Sequence, residues 1–122
     1  KRINYFSIFF NNPFILKIFI KMLENLFVYG TLKDKEIQKE IIGRAIEDMA
    51  EDVLGNHHLT EINIDGKKYL AITPDRNFLV AGSVVQVTDD ELRRIDEYES
   101  SVYKREKVIL ISRKEAWAYV KA

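Results

Sequence analysis

The stretch LTEINIDGKKYLAI, Leu59 to Ile72, constrains this chain more than any other. Asp65-Gly66 is the dipeptide that a two-residue type I′ turn takes, because both of its central residues must adopt positive φ. Flanking apolar and β-branched residues predict an antiparallel hairpin, with Ile62 opposite Tyr69 and Glu61 opposite Leu70.

The rest of the chain reads around that hairpin. Leu26–Tyr29 is a short apolar run with the character of a buried strand. Asp34–Ile42 reads as a short helix with Ile37 and Ile41 on its apolar face, stopped by Gly43. Residues 44–54 have no clear period and are read as a strand, because the next segment needs a partner. Pro74-Asp75 is read as a break, after which VAGSVVQV, Val80–Val87, forms a central strand. Within it, Gly82 predicts a bulge or a close approach by another group. Thr88 stands three residues before Glu91, the capping-box spacing, and opens a helix that runs toward Glu99. KREKVILI and AWAYV supply two further strands. Five to six strands and two or so short helices, without strict βα alternation, predict an α+β domain built as a small mixed β-barrel.

The 122 residues suffice for one domain with a single core. Residues 1–21 differ from the remainder. They hold five of the seven phenylalanines and carry Lys1, Arg2, Lys17 and Lys21 with no acid. The apolar run Phe14–Ile20 is interrupted by Lys17 and is far shorter than the roughly 20 residues a membrane span needs. No small-residue cleavage site follows it, as a signal peptide would require. Residues 1–21 are therefore read as an extension, from translated upstream sequence or a late addition, and residues 22–122 as the domain. The extension's apolar side is expected to pack on its own domain or on a neighbouring copy.

Without the extension the chain has 15 basic and 19 acidic residues. That balance argues against nucleic acid, where affinity comes mainly from Lys and Arg on phosphates. The absence of cysteine excludes disulfides, thiol catalysis and thiolate metal sites, and fits a cytoplasmic location.

Two places could carry chemistry. In TDDELRRIDEYES, Leu92 and Ile95 define an apolar helical stripe, and Glu99 falls on it at i+7 and i+4. Burial there would raise the pKa of the carboxylate, as a base working near neutrality requires. The bland alternative ends the helix earlier and pairs Glu99 with Lys104 or Arg105. In VYGTL, a strand ends at Tyr29, turns at Gly30 and leads through Thr31 and Leu32 into a helix. Such a corner can present free N–H groups to an oxyanion, with Gly30 letting the backbone come close. Alternatively, Thr31 only caps the helix. His57 and His58 are neighbours that point to opposite faces of a strand, so they do not share a metal. Tyr103 and Arg105 share a strand face and read equally well as packing and solvated residues.

Taken together, VYGTL, the valine-rich strand with its internal glycine, IDEYE, Tyr-x-Arg and AWAYV resemble the gamma-glutamylcyclotransferase-like family, over Asn25 to Val120. Within it the sequence is most similar to the gamma-glutamylamine cyclotransferases and the butirosin-pathway cyclotransferase. The resemblance implies a small mixed β-barrel that needs no metal or organic cofactor. It implies a substrate site formed by Tyr29, Gly30, Thr31 and Leu32, and an acid/base glutamate at the end of Asp-x-x-Glu, which is Glu99. The expected partner is a small γ-glutamyl compound, with neither membrane nor nucleic acid, and a homodimer is left open. The implied reaction is attack of the substrate's own α-amino group on its γ-carbonyl, giving 5-oxoproline. Two rivals are an inactive binding or interaction module on the same fold, and a hydrolase using Asp96 with Glu99. The second is disfavoured because glycosidase carboxylates must flank the substrate from opposite sides.

Overall fold

A computed structural model describes residues 11–122. The elements are α1 (Pro13–Lys21), β1 (Glu24–Val28), a 3₁₀ turn (Thr31–Lys33), α2 (Lys35–Ile42), β2 (Ala50–Ile64), β3 (Lys67–Val87), α3 (Asp89–Glu99), a second 3₁₀ turn (Ser100–Val102), β4 (Tyr103–Ile109) and β5 (Glu115–Lys121). The five strands form one sheet in the order β2-β3-β1-β5-β4. All neighbours are antiparallel except β1 and β5, which run parallel at the centre. The sheet is curled into a half-barrel, and the turn after β4 reaches back to the start of β2, where Ile111 N–H donates to the Val53 carbonyl (2.8 Å).

The hairpin has the predicted register, Ile62 to Tyr69 and Glu61 to Leu70. Asp65 (φ 51°) and Gly66 (φ 82°) supply the positive φ values that the turn needs. Pro74 does not end the strand as expected. β3 runs through it, and the irregularity is local: His57 pairs with Pro74 but Gly55 pairs with Leu79, so Asp75–Phe78 stand out opposite Asn56 alone. A residue without an N–H is tolerated where the ladder is interrupted in this way. Residues 44–49 are irregular rather than strand, and β2 begins only at Ala50.

Alternation along the central strands divides the core into two layers. On the helix side, Leu26 and Val28 of β1 and Val85 and Val87 of β3 pack with Leu92 and Ile95 of α3 and Ile42 of α2. Inside the curl, Phe27, Val80, Val84, Ala116, Ala118 and Val120 pack with Leu54 and Ile72. Burial on both faces explains why Leu26–Val28 reads as an unbroken apolar run.

The apolar face of α2 is rotated from the expected one. Gln38 and Ile42 are buried, whereas Ile37 and Ile41 are only partly so. Asp34 caps this helix, accepting from the N–H groups of Glu36 (2.8 Å) and Ile37 (3.1 Å), so the cap is not Thr31. The expected capping box of α3 is complete between Thr88 and Glu91. Of the extension, residues 1–10 lie outside the described residues. In α1, Phe14 is largely exposed, whereas Ile15 and Ile18 line a groove with Ala45 and Ile46 of the domain while staying partly open to solvent.

Gly82 shows why β3 needs a glycine. A Cβ there would lie 2.6 Å from Phe27 Cζ and 2.6 Å from the Val28 carbonyl oxygen, so the close approach, and not a bulge, explains it. Gly82→Ala should destabilise the chain by about 1–3 kcal/mol, the usual cost of overpacking a close-packed interior. Urea unfolding of the variant checks this, and an unchanged midpoint would contradict the packing account.

Candidate active site

The end of β1 and the end of α3 meet in one cleft. Its lining includes Tyr29, Gly30, Thr31 and Leu32 from the corner after β1, Glu99 from α3, and Tyr103 from β4. The two places singled out in the sequence, 67 or more residues apart, are therefore brought together. Leu70, from the far part of the β2–β3 hairpin, contributes a wall. It is held there by Tyr103, whose hydroxyl donates to the Leu70 carbonyl (2.7 Å).

Glu99 is the last residue of α3 and is half-buried. Among the described residues its carboxylate has neither a hydrogen bond nor a salt bridge, and burial alone raises its pKa to about 7. Lys104 and Arg105, the alternative partners in the sequence, are engaged elsewhere. Lys104 pairs with Glu106 (3.1 Å). Arg105 pairs with Asp96 (2.9 Å) and lies over the Trp117 ring, 4.3 Å from its centroid. Asp96 also accepts from the Tyr119 hydroxyl (2.6 Å). The two carboxylates of Asp-x-x-Glu thus differ in kind: Asp96 is surrounded by donors, and Glu99 is not.

The tyrosines around Glu99 are held in the protonated state. Burial, then the nearby Tyr103 and Glu99, push the Tyr29 phenol well above its ordinary value, and its hydroxyl donates to the Tyr119 carbonyl. Tyr103 is pushed up to about 12 by burial and then by Glu99. Tyr119 is raised by burial and then by its bond to Asp96. All three serve as donors and packing groups at neutral pH, leaving Glu99 as the group able to exchange a proton there.

In the corner, the Gly30 carbonyl accepts from Lys33 N–H (3.0 Å) and the Thr31 carbonyl from Asp34 N–H (2.9 Å). Gly30 has φ −126°, outside the left-handed region, and a Cβ there would make only an ordinary 3.9 Å contact with Leu70 Cβ. His57 and His58 are separate: His57 Nδ1 lies 2.9 Å from the Gly55 carbonyl and His58 stacks on Phe78. Among the described residues no group of three or more His, Cys, Asp or Glu side chains could hold a metal, and no helix is long and apolar enough to cross a membrane.

The residue that sequence reasoning missed is Gln38. Its buried amide donates to the Leu32 carbonyl (2.8 Å) and accepts from Ile46 N–H (2.8 Å). Its spacing of i, i+4 to Ile42 was the available signal, but a glutamine beside Ile37 and Ile41 reads as a solvated residue.

A half-barrel of this topology is shared with solved proteins. An Arabidopsis thaliana protein determined in solution superposes with a TM-score of 0.67 at 25% identity, over 82% of this chain and 69% of that one. A gamma-glutamyl cyclotransferase superposes with a TM-score of 0.62 at 20% identity, over 82% of this chain and 67% of that one, a likeness of fold. Residues 26–122 match the family model described as gamma-glutamyl cyclotransferase, AIG2-like, and the chain belongs to that family. AIG2-like protein C of Arabidopsis thaliana is 36% identical over 89 residues, which cover 72% of this chain and 50% of that relative. The chain spans about half the length of the curated relatives it matches.

The isolation of Glu99 has a measurable consequence. An unfolded glutamate titrates near 4.3, and the folded one near 7. Because the folded pKa is raised, the stability contributed by neutral Glu99 is complete below about pH 4.3. It is lost as pH rises through about 7. Glu99→Gln should therefore gain stability relative to the wild type between about pH 5 and pH 8. Thermal unfolding across that range checks the trend. A constant difference would show that the carboxylate is solvated or paired.

Proposed function

We propose that this chain is a gamma-glutamyl cyclotransferase-type enzyme that releases 5-oxoproline from a γ-glutamyl amine or dipeptide. The observation that carries the proposal is Glu99, half-buried and without a partner among the described residues, in the same cleft as the Tyr29–Leu32 corner. Family membership supports the class of reaction, and the chemistry follows from these residues.

The reaction needs no nucleophilic side chain. The α-amino nitrogen of the substrate attacks its own γ-carbonyl carbon, forming the C–N bond of a five-membered lactam. The bond from that carbon to the leaving nitrogen then breaks. Intramolecular attack in a well-placed substrate reaches effective molarities of roughly 10⁵–10⁸ M, so the protein's work is to hold a folded-back conformation.

The α-ammonium loses two protons in becoming the lactam N–H, one before attack and one after the C–N bond has formed. The leaving nitrogen gains two to depart as an ammonium. Glu99 carries them one at a time and ends as it began. An ordinary glutamate, near 4.3, is about 3.5 pK units too acidic to deprotonate an α-ammonium near 7.8. With Glu99 raised to about 7, the gap shrinks to about one unit. The N–H groups of the corner act on the other side of the reaction, donating to the oxygen that becomes negative in the tetrahedral intermediate.

Incubation with γ-glutamyl amines and γ-glutamyl dipeptides, followed by mass spectrometry, is expected to show 5-oxoproline and the free amine or amino acid. Glu99→Gln should lower turnover by about 10²–10⁴-fold while the substrate still binds. Wild-type activity should rise with pH through about 7, where Glu99 becomes ionised. Binding of these compounds without turnover by the wild type would instead support a binding module on the same fold.

A further inference from the structure

Gln38 is 2% exposed, lies beside Leu32 among Ile41, Ile42 and Ile46, and is not among the residues that line the cleft. A buried amide is tolerated only when its polar atoms are paired, and here the pairing can be read in one sense only. Ile46 N–H can only donate, so it faces Oε1, and Nε2 must then face the Leu32 carbonyl.

That bond propagates through two peptide planes. Every described peptide is trans, so each carbonyl and the following N–H point in opposite directions. Gln38 draws the Leu32 carbonyl to one side (2.8 Å), which turns Lys33 N–H the other way, onto the Gly30 carbonyl (3.0 Å). With its carbonyl turned toward Lys33, the Gly30–Thr31 peptide directs Thr31 N–H away from the body of the turn. Among the described residues, the N–H groups of Thr31 and Leu32 have no acceptor, and both residues line the cleft.

We infer that Gln38 is a positioning residue: through the Leu32 carbonyl it fixes the direction in which the Thr31 N–H faces the cleft. The catalytic part of this inference rests on the cyclotransferase reading above, whereas the positional part stands on the hydrogen bonds alone. Gln38 touches no substrate. Its effect reaches the reaction through the backbone, and misplacement of a catalytic group by about 1 Å can cost about 10²-fold in rate.

The decisive variant is Gln38→Glu, which keeps the acceptor for Ile46 N–H but replaces the donor to Leu32 with an oxygen. Ile42→Val, one helical turn away and also buried, weakens packing in the core cluster that includes Leu32 but keeps both hydrogen bonds of Gln38. Backbone amide NMR should show Thr31 and Lys33 displaced in Gln38→Glu and unmoved in Ile42→Val. 5-Oxoproline formation should fall about 10²-fold in kcat/KM only in the first, with kcat falling more than KM rises. Should Gln38→Glu not fold, the shape-matched Gln38→Met, which removes both the donor to Leu32 and the acceptor for Ile46, is read against Ile42→Val in the same way. Unmoved corner amides in the Gln38 variant, or an equal loss of activity in Ile42→Val, would overturn the inference. If the wild type forms no 5-oxoproline from any γ-glutamyl compound, the cyclotransferase reading fails. The amide displacements alone then decide the role of Gln38.

Discussion

Contact between Phe27 and Gly82 governs how the sheet is assembled. Without a Cβ on Gly82, the Phe27 ring lies directly against the backbone of β3, and the Val28 carbonyl approaches equally closely. This draws β1 into the middle of the curl, between β3 on one side and β5 on the other. The chain then leaves β1 at Tyr29 with its direction already set. Tyr29, Gly30 and Thr31 are thereby placed opposite the end of α3, whose own position is fixed by Leu92 and Ile95 in the other core layer. The cleft is a consequence of two packing layers meeting at the end of one strand.

The electrostatics of the cleft depend on what is kept away from Glu99. Asp96, one helical turn earlier, engages Arg105 and Tyr119, and Trp117 supports the guanidinium from below its plane. A cation beside Glu99 would favour its charged form and lower its pKa. With the nearby arginine already committed, desolvation dominates and the carboxyl titrates close to neutrality. Two acids three residues apart on one helix thus have opposite surroundings. Such separation of environments is how one fold assigns different tasks to identical functional groups.

The long β2–β3 hairpin connects fold and cleft in a second way. Its near half pairs within the half-barrel, and its far half brings Ile72 into the inner core and Leu70 to the cleft wall. A bond from the Tyr103 hydroxyl to the Leu70 carbonyl ties this arm to β4. The interruption at Asn56 and Asp75–Phe78 divides the two halves, so the arm can follow its own course while keeping a continuous strand.

Local chemistry was legible in the sequence wherever it was decided by residues close together. Asp65-Gly66 dictated the hairpin and its register, because few dipeptides accept two positive φ values. Thr88 and Glu91 dictated the start of α3, and helical spacing placed Glu99 on the stripe of Leu92 and Ile95. The five-stranded mixed half-barrel followed from the pattern of strands and from the family's motifs. Long-range matters required the tertiary structure. Whether Pro74 ended a strand depended on the partner residues opposite it. Whether Glu99 was paired depended on Asp96 and Trp117 capturing Arg105. That Gln38 was buried depended on a carbonyl and an N–H brought to it from Leu32 and Ile46. A polar side chain pairs with whatever the fold delivers, and the sequence around it does not record that partner.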